Sequence, residues 1–336
     1  MKRFLYEWFS YLLFLFLIVL MVAFPFFKKL DWGAVIKEEV VGLLTIFFSI
    51  LLEAFPFLLI GAIFSALIGI YIKPTHLSRW LPKHPILSIF PALLLALILP
   101  ICECAIVPVI RRFIKKGMPV HVAVTFMTAA PILNPVVAAS TYYAFNMNTS
   151  FLVWRMVLAL LCSLVIAITI YFFYKKNTQP NEILKENSKQ AKGFEHEHDH
   201  KKGIMNIIDH TSEDFLFMAK FFIIGAFLAS IFQTFFAREW LGFISEHAAF
   251  SIILMMLLSY ILSLCSEADA FIAASFGGTF SFSATLSFLI LGPMLDLKNT
   301  LMMMSTFKWR FIIIFHFVVF FVVFIMMIIF SLLGMS

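Results

Sequence analysis

The chain has 336 residues, of which 62% are hydrophobic and 13% are charged, and its formal net charge is +6. Soluble domains typically carry ~25% charged residues, so this composition excludes an ordinary soluble domain and indicates a membrane protein. Four cysteines are too few for a disulfide scaffold, and the basic residues lie in short loops between apolar segments, which indicates a role in membrane topology rather than nucleic-acid binding.

Apolar segments recur along the whole chain, and several reach the ~20 residues that a spanning helix needs. They cover roughly 9–27, 42–72, 85–110, 118–146, 151–174, 214–236, 250–270, 280–297 and 311–334. The first segment ends in VAFPFFKK without a small-x-small cleavage site, which predicts an uncleaved anchor helix rather than a secretory signal. The sequence therefore predicts an all-α, polytopic protein of the plasma membrane.

One long polar segment interrupts the apolar pattern. It is rich in lysine and lacks apolar periodicity until its end, so we predict a solvated, partly disordered linker on the cytoplasmic side. We divide the chain into an N-terminal helix with a short loop, a first transmembrane unit, the linker and a second transmembrane unit, at 1–40, 41–174, 175–213 and 214–336.

The linker contains the histidine-rich run EHEHDH, with His196, His198 and His200 alternating with carboxylates. Alternating imidazoles on a flexible segment bind Zn, Ni, Co or Cu loosely, so these three residues are candidate metal ligands. A solvated charged loop without function is the alternative.

Three landmarks occur in both transmembrane units, in the same order and at spacings that differ by one residue. They are Gly61-Ala62, Cys102 and Pro131 with Asn134 in the first unit, and Gly225-Ala226, Cys265 and Pro293 with Asp296 in the second. This pattern indicates an internal duplication. In an apolar chain a duplication points to a transporter whose substrate site lies between the two units, near the bilayer midplane.

Loop charges favour one topology over another. If every apolar segment crossed once, the basic loop 111–116 and the linker would both lie outside, against the positive-inside bias. The alternative is that 85–110 forms a hairpin, broken around Pro100 and Cys102, that enters and leaves on the cytoplasmic side. The basic loop and the linker then both lie inside.

The same reasoning makes 250–278 a matching hairpin that enters from the opposite face. It also places a loop with Lys298, Lys308 and Arg310 in the cytoplasm. The two units would then have opposite orientations and form an inverted repeat of three crossings and one re-entrant hairpin each. A parallel arrangement of four-span units is the alternative.

Cys102-Glu103-Cys104 is the sharpest chemical signal. Pro100 and Pro108 flank it, and prolines that remove amide donors make a local break in the helix, in which two thiols can converge on one ion. Thiolates are soft ligands that favour Cu(I), Zn and similar centres, and a carboxylate can balance the charge of the ligands or the cargo. Small buried residues in a kinked helix are the alternative interpretation.

A related cluster lies in the second unit, where Cys265-Ser266-Glu267 precedes Asp269. Carboxylates inside a membrane segment are costly unless they line a cavity or pair, so Glu267 and Asp269 are candidates for binding a cation or relaying a proton. An exposed position at the end of the hairpin is the alternative.

Asn134 and Asp296 each follow a proline, Pro131 or Pro293, by three residues. The proline frees a backbone carbonyl, and a polar side chain one turn later either repairs the break or helps to coordinate cargo. Both roles stay open from the sequence.

At ILPICECAIVPVIRR, GMPVHVAVTFMTAAPILNPV and LCSEADAFIAASF the chain resembles bacterial predicted permeases of the YraQ/YcgR type, a family similar to permeases that export trivalent organoarsenicals. The resemblance covers about 40–335. It implies a multi-pass inner-membrane protein, and it associates some members with metal homeostasis. The family's motif residues correspond here to Cys102, Glu103, Cys104, Pro131, Asn134, Pro135, Cys265, Ser266, Glu267 and Asp269.

We therefore expect a permease that moves a thiophilic metal, metalloid or related small solute by alternating access. The proton gradient would drive it, because the sequence shows no nucleotide-hydrolysis motif. The expected partners are the lipid bilayer, the solute and a membrane or periplasmic protein, without nucleic acid or a cofactor. Two alternatives stay open, a non-transporting accessory or scaffold subunit and a membrane thiol oxidoreductase that uses Cys102 and Cys104.

Overall fold

The computed structural model describes residues 34–71, 86–98, 101–174, 180–185, 204–235, 248–276 and 280–334, with the single positions 82 and 84. Its regular elements are α-helices, as the sequence predicts. In chain order they are α1 (Ala34–Tyr71), α2 (Ile89–Ile98), α3 (Glu103–Lys115), α4 (Val120–Ala129), α5 (Pro135–Ala144), α6 (Thr149–Phe173), α7 (Pro180–Ile183), α8 (Ile204–Phe235), α9 (Ala248–Leu262), α10 (Asp269–Ser275), α11 (Phe282–Met294), α12 (Leu297–Thr306) and α13 (Trp309–Leu332). The predicted anchor helix lies outside the described residues.

Within the described part of the chain, three helices are long and apolar enough to cross a membrane. They are Glu39–Ile63 within α1, and the whole of α6 and α13. Shorter apolar helices, including α2, α4 and α9, accompany them. The structure is therefore that of a polytopic helical membrane protein.

The predicted crossing at 118–146 is a helix broken in its middle. Its halves α4 and α5 lie along α6 in the opposite direction, because the His121 ring contacts the Tyr171 ring at 5.1 Å and Arg155 Nη1 donates to Thr141 Oγ1 at 2.7 Å. The two halves and the turn at 130–134 together match the length of α6. The break therefore lies at mid-depth of the crossing.

The second unit repeats this arrangement with α11 and α12 beside α13. Phe282 packs near Phe330, and a 2.7 Å hydrogen bond joins Thr300 Oγ1 and His316 Nε2. The predicted crossing at 280–297 thus continues to Thr306 after a break. The cytoplasmic loop predicted to hold Lys298 is wrong, because the Asp296 side chain caps a new helix and Lys298 lies buried in its first turn.

The hairpin predicted around the first cysteine pair is present. A 3.1 Å hydrogen bond joins Ser88 Oγ, at the start of α2, to His121 Nε2, at the start of α4. Between them, α3 returns to the same end of the molecule through a tight turn in which Gly117 has φ of 92°. Ten residues of helix rise ~15 Å, about half of a ~30 Å hydrocarbon core, so the tip of the hairpin lies near mid-depth.

The predicted basic loop at 111–116 differs from the observed structure. Helix α3 continues to Lys115, and the side chains of Arg111 and Arg112 are buried. Long basic side chains near the end of a buried helix extend their charged groups toward the interface, so a run of basic residues does not require a loop.

The second hairpin consists of α9 and α10. Ser287 Oγ donates to Ile252 O at 3.3 Å, and the Lys298 amide donates to Ser263 Oγ at 3.1 Å, so α9 runs parallel to α11. Helix α10 then returns, and Phe276 contacts Phe288 at 6.1 Å. Its tip, at 263–268, lies against the break between α11 and α12.

Helices at matching positions of the two units run in opposite directions. The ring contacts that align α1 with α8 and α6 with α13 are Phe47–Phe227, Phe55–Phe215, Trp154–Phe330 and Tyr174–Phe311, at 5.8, 5.6, 4.9 and 5.8 Å. In both helix pairs, residue numbers rise along one helix while they fall along the other, so the two helices are antiparallel. This is the direction that an inverted repeat requires.

Both described ends of the polar segment are ordered. Ile183 and Leu184 are buried against the junction of α12 and α13, where the Lys308 amide donates to Ile183 O at 2.7 Å. Helix α8 begins at Ile204 rather than at the predicted 214. Within the predicted linker 175–213, the described residues 180–185 and 204–213 are thus held by buried apolar side chains or by helical hydrogen bonds, while the rest of the linker stays a prediction.

The two Gly-Ala landmarks mark close helix contacts at the hairpin and the break. A Cβ on Gly61 would overlap the Cβ of Ala105, in the first turn of α3. A Cβ on Gly225 would lie 3.0 Å from the Cα of Lys298, in the first turn of α12. In membranes such small residues let backbones approach closely, and here they seat the two breaks against the long helices α1 and α8.

We predict that Gly61→Ala destabilises the protein. The added Cβ overlaps Ala105, and overpacking of this kind typically costs about 1–3 kcal/mol. The matched control is Gly42→Ala in the same helix, where no described atom lies within 4 Å of the new Cβ, so the better helix propensity of alanine should leave stability equal or raised by up to ~1 kcal/mol. Denaturant unfolding in detergent micelles measures both. Equal stability of the two variants would contradict the close packing.

Candidate functional site

The tip of the first hairpin carries Cys102, Glu103 and Cys104 at the start of α3. Cys102 is the N-cap residue with extended backbone, and its side chain makes no capping hydrogen bond. All three side chains are buried. Of the two prolines predicted to break the helix, Pro108 lies inside α3, which continues through it to Lys115, and Pro100 falls outside the described residues.

Thiols from both units meet at this tip. The Cys104 thiol lies near the Cys102 thiol and near the Cys265 thiol, which belongs to the second hairpin. All three cysteines are free and buried. The structure therefore brings together, in one buried cluster, the two cysteine motifs that lie far apart in the sequence.

Glu103 is the most unusual carboxylate of the site. Its side chain is only 1% exposed, and neither carboxyl oxygen has a hydrogen-bond partner among the described residues. Lys298, Asp296 and Glu267 are close enough to act on it electrostatically. Because burying a carboxyl without hydrogen bonds is costly, this residue fits a functional role better than a purely structural one.

Lys298 is a site residue that the sequence interpretation missed. It is 1% exposed, and its Nζ lies 3.8 Å from Asp296 Oδ2 and 5.6 Å from the centre of the Phe222 ring. The available signal was its position two residues after the Pro-Met-Leu-Asp landmark, inside the first turn of a helix that begins at mid-depth.

The side chains of the two helix breaks act as caps. Asn134 Oδ1 accepts from the Val137 amide at 2.9 Å, while its Nδ2 donates to Ala130 O at 3.2 Å. Pro131 is buried in the turn before it, and Pro135 occupies the first turn of α5. The amide of Asn134 is thus fully engaged in the break, which supports the structural role that the sequence left open.

Asp296 has a similar position in the second unit. Its Oδ1 accepts from the Asn299 amide at 2.7 Å, and its Oδ2 accepts from Ser263 Oγ at 3.1 Å. The carboxylate thereby joins the break to the tip of the second hairpin. One oxygen still faces the Lys298 ammonium at 3.8 Å, so this residue both caps a helix and contributes charge to the site.

Asp269 is paired with a buried arginine from the other unit. Arg155 Nη2 donates to both carboxylate oxygens, at 2.9 and 2.8 Å, and Arg155 also contacts Thr141 Oγ1 and Ser266 O. The guanidinium is fully buried. Sequence reasoning missed this residue, although a single arginine inside the apolar segment 151–174 was a signal of pairing.

Glu267 occupies a more accessible position than its neighbours. It is half-buried, and its carboxylate accepts a 3.3 Å hydrogen bond from Ser266 Oγ. Unlike Asp269, it has no basic partner among the hydrogen bonds and ion pairs of the described residues. Its carboxylate is therefore more exposed to solvent than those of Glu103, Asp269 and Asp296.

The predicted metal ligands have different outcomes. In the described part of the chain, no three His, Cys, Asp or Glu side chains are arranged as a group that could hold a metal ion. His196, His198 and His200 lie outside the described residues, so their role stays a prediction. Cys102 and Cys104 lie in the thiol cluster, where they are candidates for contact with cargo.

We predict that Asp269→Asn strongly destabilises the protein, because it leaves the buried Arg155 guanidinium without a counter-charge. Breaking a buried ion pair from one side typically costs about 3–5 kcal/mol. The double variant Arg155→Met with Asp269→Asn removes both charges and should recover part of that loss. Glu267→Gln, two residues away, is the control and should change stability by less than about 1 kcal/mol. Equal unfolding of Asp269→Asn and Glu267→Gln would contradict a stabilising pair.

Comparisons with known proteins agree with this architecture. The family model ArsP_1, described as "Predicted permease", matches residues 39–332. The chain is 39% identical over 270 residues to the UPF0718 protein YcgR of Bacillus subtilis (strain 168), a match that covers 80% of this chain and 90% of that protein.

A second relative comes from Streptococcus mutans serotype c and bears the name "Putative two-component membrane permease complex subunit". It is 36% identical over 283 residues, which cover 83% of this chain and 92% of that protein. No solved structure matches the chain. The family match and both identities extend over most of the chain, so it belongs to this family of permeases and is a multi-pass protein of the plasma membrane.

Proposed function

We propose that this permease moves a thiophilic metal, metalloid or related small solute through the cluster at which its two units meet. The single observation that carries the proposal is the convergence of the Cys104 thiol with those of Cys102 and Cys265, from two different hairpins. Soft sulfur ligands favour soft metal and metalloid centres over Mg²⁺ or Ca²⁺.

The depth of the cluster supports a transport role. Helix α2 is ten residues long and reaches about half-way across a ~30 Å hydrocarbon core, and the helix breaks at 130–134 and 295–296 lie at a similar depth. Transporters place their substrate sites near the midplane, between discontinuous helices. A cluster at this depth is equally distant from both aqueous sides.

We propose that the two units form an inverted repeat and that transport proceeds by alternating access. The opposite directions of α1 and α8, and of α6 and α13, support this arrangement. Because Cys104 and Cys265 belong to different units, a rocking motion of one unit against the other would open the cluster to one side at a time.

We further propose that the proton gradient drives transport. The site contains several carboxylates in a membrane segment, and such residues are characteristic of proton and ion pathways. Glu267 is accessible at the edge of the cluster and is the candidate for proton exchange with the aqueous side.

A membrane or periplasmic partner is also part of the proposal. The relative from Streptococcus mutans is named as a subunit of a two-component complex, which supports a partner for this chain as well. It also supports the alternative that this chain is an accessory subunit that does not transport by itself. Purified protein that moves no cargo in liposomes, while a second membrane protein co-purifies with it, would favour that alternative.

We predict that Cys104→Ala lowers cargo affinity and transport. Loss of an outer-shell partner of a metal site costs about 10–100-fold in affinity, so loss of a directly bonding thiol should cost at least as much. The assay is uptake of cadmium and of a trivalent arsenical into proteoliposomes. Cys162→Ala is the matched control, since Cys162 is equally buried in α6 but lies outside the cluster, and it should transport like the wild type.

Two outcomes of that assay would contradict the proposal. Equal flux through Cys104→Ala and Cys162→Ala would remove the thiol cluster from the cargo path. A reversible Cys102–Cys104 disulfide that forms and breaks with turnover of a redox substrate would favour the thiol oxidoreductase instead.

We predict that a protonophore abolishes uphill accumulation of cargo in proteoliposomes that carry an imposed pH gradient. Downhill flux should persist, because the pathway stays intact when only the driving force is lost. The measurement is the ratio of internal to external cadmium at steady state. An unchanged ratio after collapse of the gradient would exclude proton coupling.

A further inference from the structure

We propose that Lys298 is a tethered cation that neutralises the cargo site when it is empty, and so allows the cargo-free transporter to return across the membrane. This inference rests on the proposed transport function and extends it by specifying the charge of the bound cargo. A built-in cation that substitutes for the cargo implies that the cargo binds as a cation.

The position of the ammonium group carries the first step. Lys298 Nζ is buried and donates no hydrogen bond within the described ranges, and its nearest carboxylate oxygen, Asp296 Oδ2, is 3.8 Å away. An ammonium group can donate three hydrogen bonds, so a structural lysine at this depth would be expected to use them. What holds this one is the field of the site and the face of the Phe222 ring, 5.6 Å from Nζ.

The Asp296 carboxylate is the charge closest to this ammonium group. Lys298 also lies near Cys104, Cys265 and Glu103, which with Asp296 are groups that would contact a soft cation. Its ammonium group is therefore close to two of the three thiols of the cluster. A cation entering the cluster and the Lys298 ammonium would repel each other.

The carboxylate is fixed and the lysine is tethered. Asp296 is held by the Asn299 amide and by Ser263 Oγ. The Lys298 backbone packs against Gly225. Its ammonium group lies at the end of a flexible four-carbon side chain and makes no hydrogen bond within the described residues. When a cation displaces one member of this pair, the lysine head group is thus the member that can move.

The charge balance of the site explains why such a cation is needed. Asp269 is already neutralised by Arg155 through a two-oxygen ion pair, which leaves Asp296 as the buried carboxylate that the Lys298 ammonium faces, at 3.8 Å. Moving an uncompensated carboxylate through the low-dielectric interior is costly. With cargo bound, the cargo supplies the positive charge; without cargo, Lys298 supplies it.

The test separates the return of the empty carrier from the loaded step. Proteoliposomes are filled with radioactive cadmium, and release is measured into medium without cadmium (net efflux) and into medium with excess unlabelled cadmium (exchange). Net efflux requires the empty transporter to return, whereas exchange does not. We expect Lys298→Met to slow net efflux by more than about tenfold, while exchange stays within about threefold of the wild type.

Three further variants distinguish a charge effect from a folding effect. Lys298→Arg keeps the charge and should retain net efflux. The double variant Lys298→Met with Asp296→Asn removes both charges and preserves the helix cap. Loss of Asp296 should lower net efflux and exchange together, but the ratio of net efflux to exchange should rise above that of Lys298→Met, which a merely structural lysine would not allow. Lys308→Met, an equal charge loss at an exposed position ten residues later, should behave like the wild type.

Cadmium binding in detergent supplies a readout that does not depend on transport. Removal of a competing cation should make Lys298→Met bind cadmium more tightly than the wild type, by at least about threefold. Equal loss of exchange and net efflux in Lys298→Met, or weaker cadmium binding by this variant, would overturn the inference while leaving the proposed function in place. A wild type that binds cadmium but moves none in either mode would overturn the proposed function, and the role of Lys298 in the return step with it.

Discussion

A hydrocarbon interior provides no water for hydrogen bonding, so every helix that ends inside the membrane must satisfy its free backbone groups within the protein. This chain ends helices at mid-depth in both units, and each break has a local solution. Asn134 caps α5 through the Val137 amide, and Asp296 caps α12 through the Asn299 amide. The Gly-Ala landmarks then let α1 and α8 press against the first turns of α3 and α12, which excludes lipid from the exposed peptide groups. The thiol cluster and its polar neighbours depend on this solution, because the capped break after Asp296 and the tips of the hairpins bring polar residues together in the interior.

The second constraint is electrostatic, since a polar centre in a membrane must come close to neutrality. Arg155 of α6 reaches the tip of the second hairpin and binds both oxygens of Asp269, so one ion pair connects the two units. Because the pair also includes contacts to Thr141 and Ser266, it fixes the geometry of the tip. The remaining groups, Glu103 and the pair Asp296–Lys298, are less completely satisfied. The Arg155–Asp269 pair lacks a partner only at Arg155 Nε among the described residues, whereas both carboxyl oxygens of Glu103 and the Lys298 Nζ lack one.

Much of this architecture could be predicted from the sequence. Hydropathy predicted the helical class, the landmarks predicted which segments come together, and loop charges predicted the hairpin that carries Cys102 and Cys104. The errors have a common cause, since a count of basic residues does not show whether they are buried. Arg111 and Arg112 were assigned to a loop but lie in α3, and Lys298 was assigned to the cytoplasm but lies in the site. Long basic side chains can occupy either environment, and only tertiary partners decide between them.

The buried partners of the acidic residues were the least predictable part of the site. Asp269 was a candidate site residue because of its predicted membrane position, but its counter-charge comes from a helix more than a hundred residues earlier, and no local pattern connects the two. The proximity of the thiols was easier to predict, because the matching cysteine motifs of the two units provided long-range information. Lys298 follows Asp296 by two residues, but Val136 stands at the corresponding position after Asn134, so the duplication gives no indication of this lysine. Lys298 therefore makes the two otherwise similar helix breaks different, because only the break after Asp296 carries a pair of opposite charges.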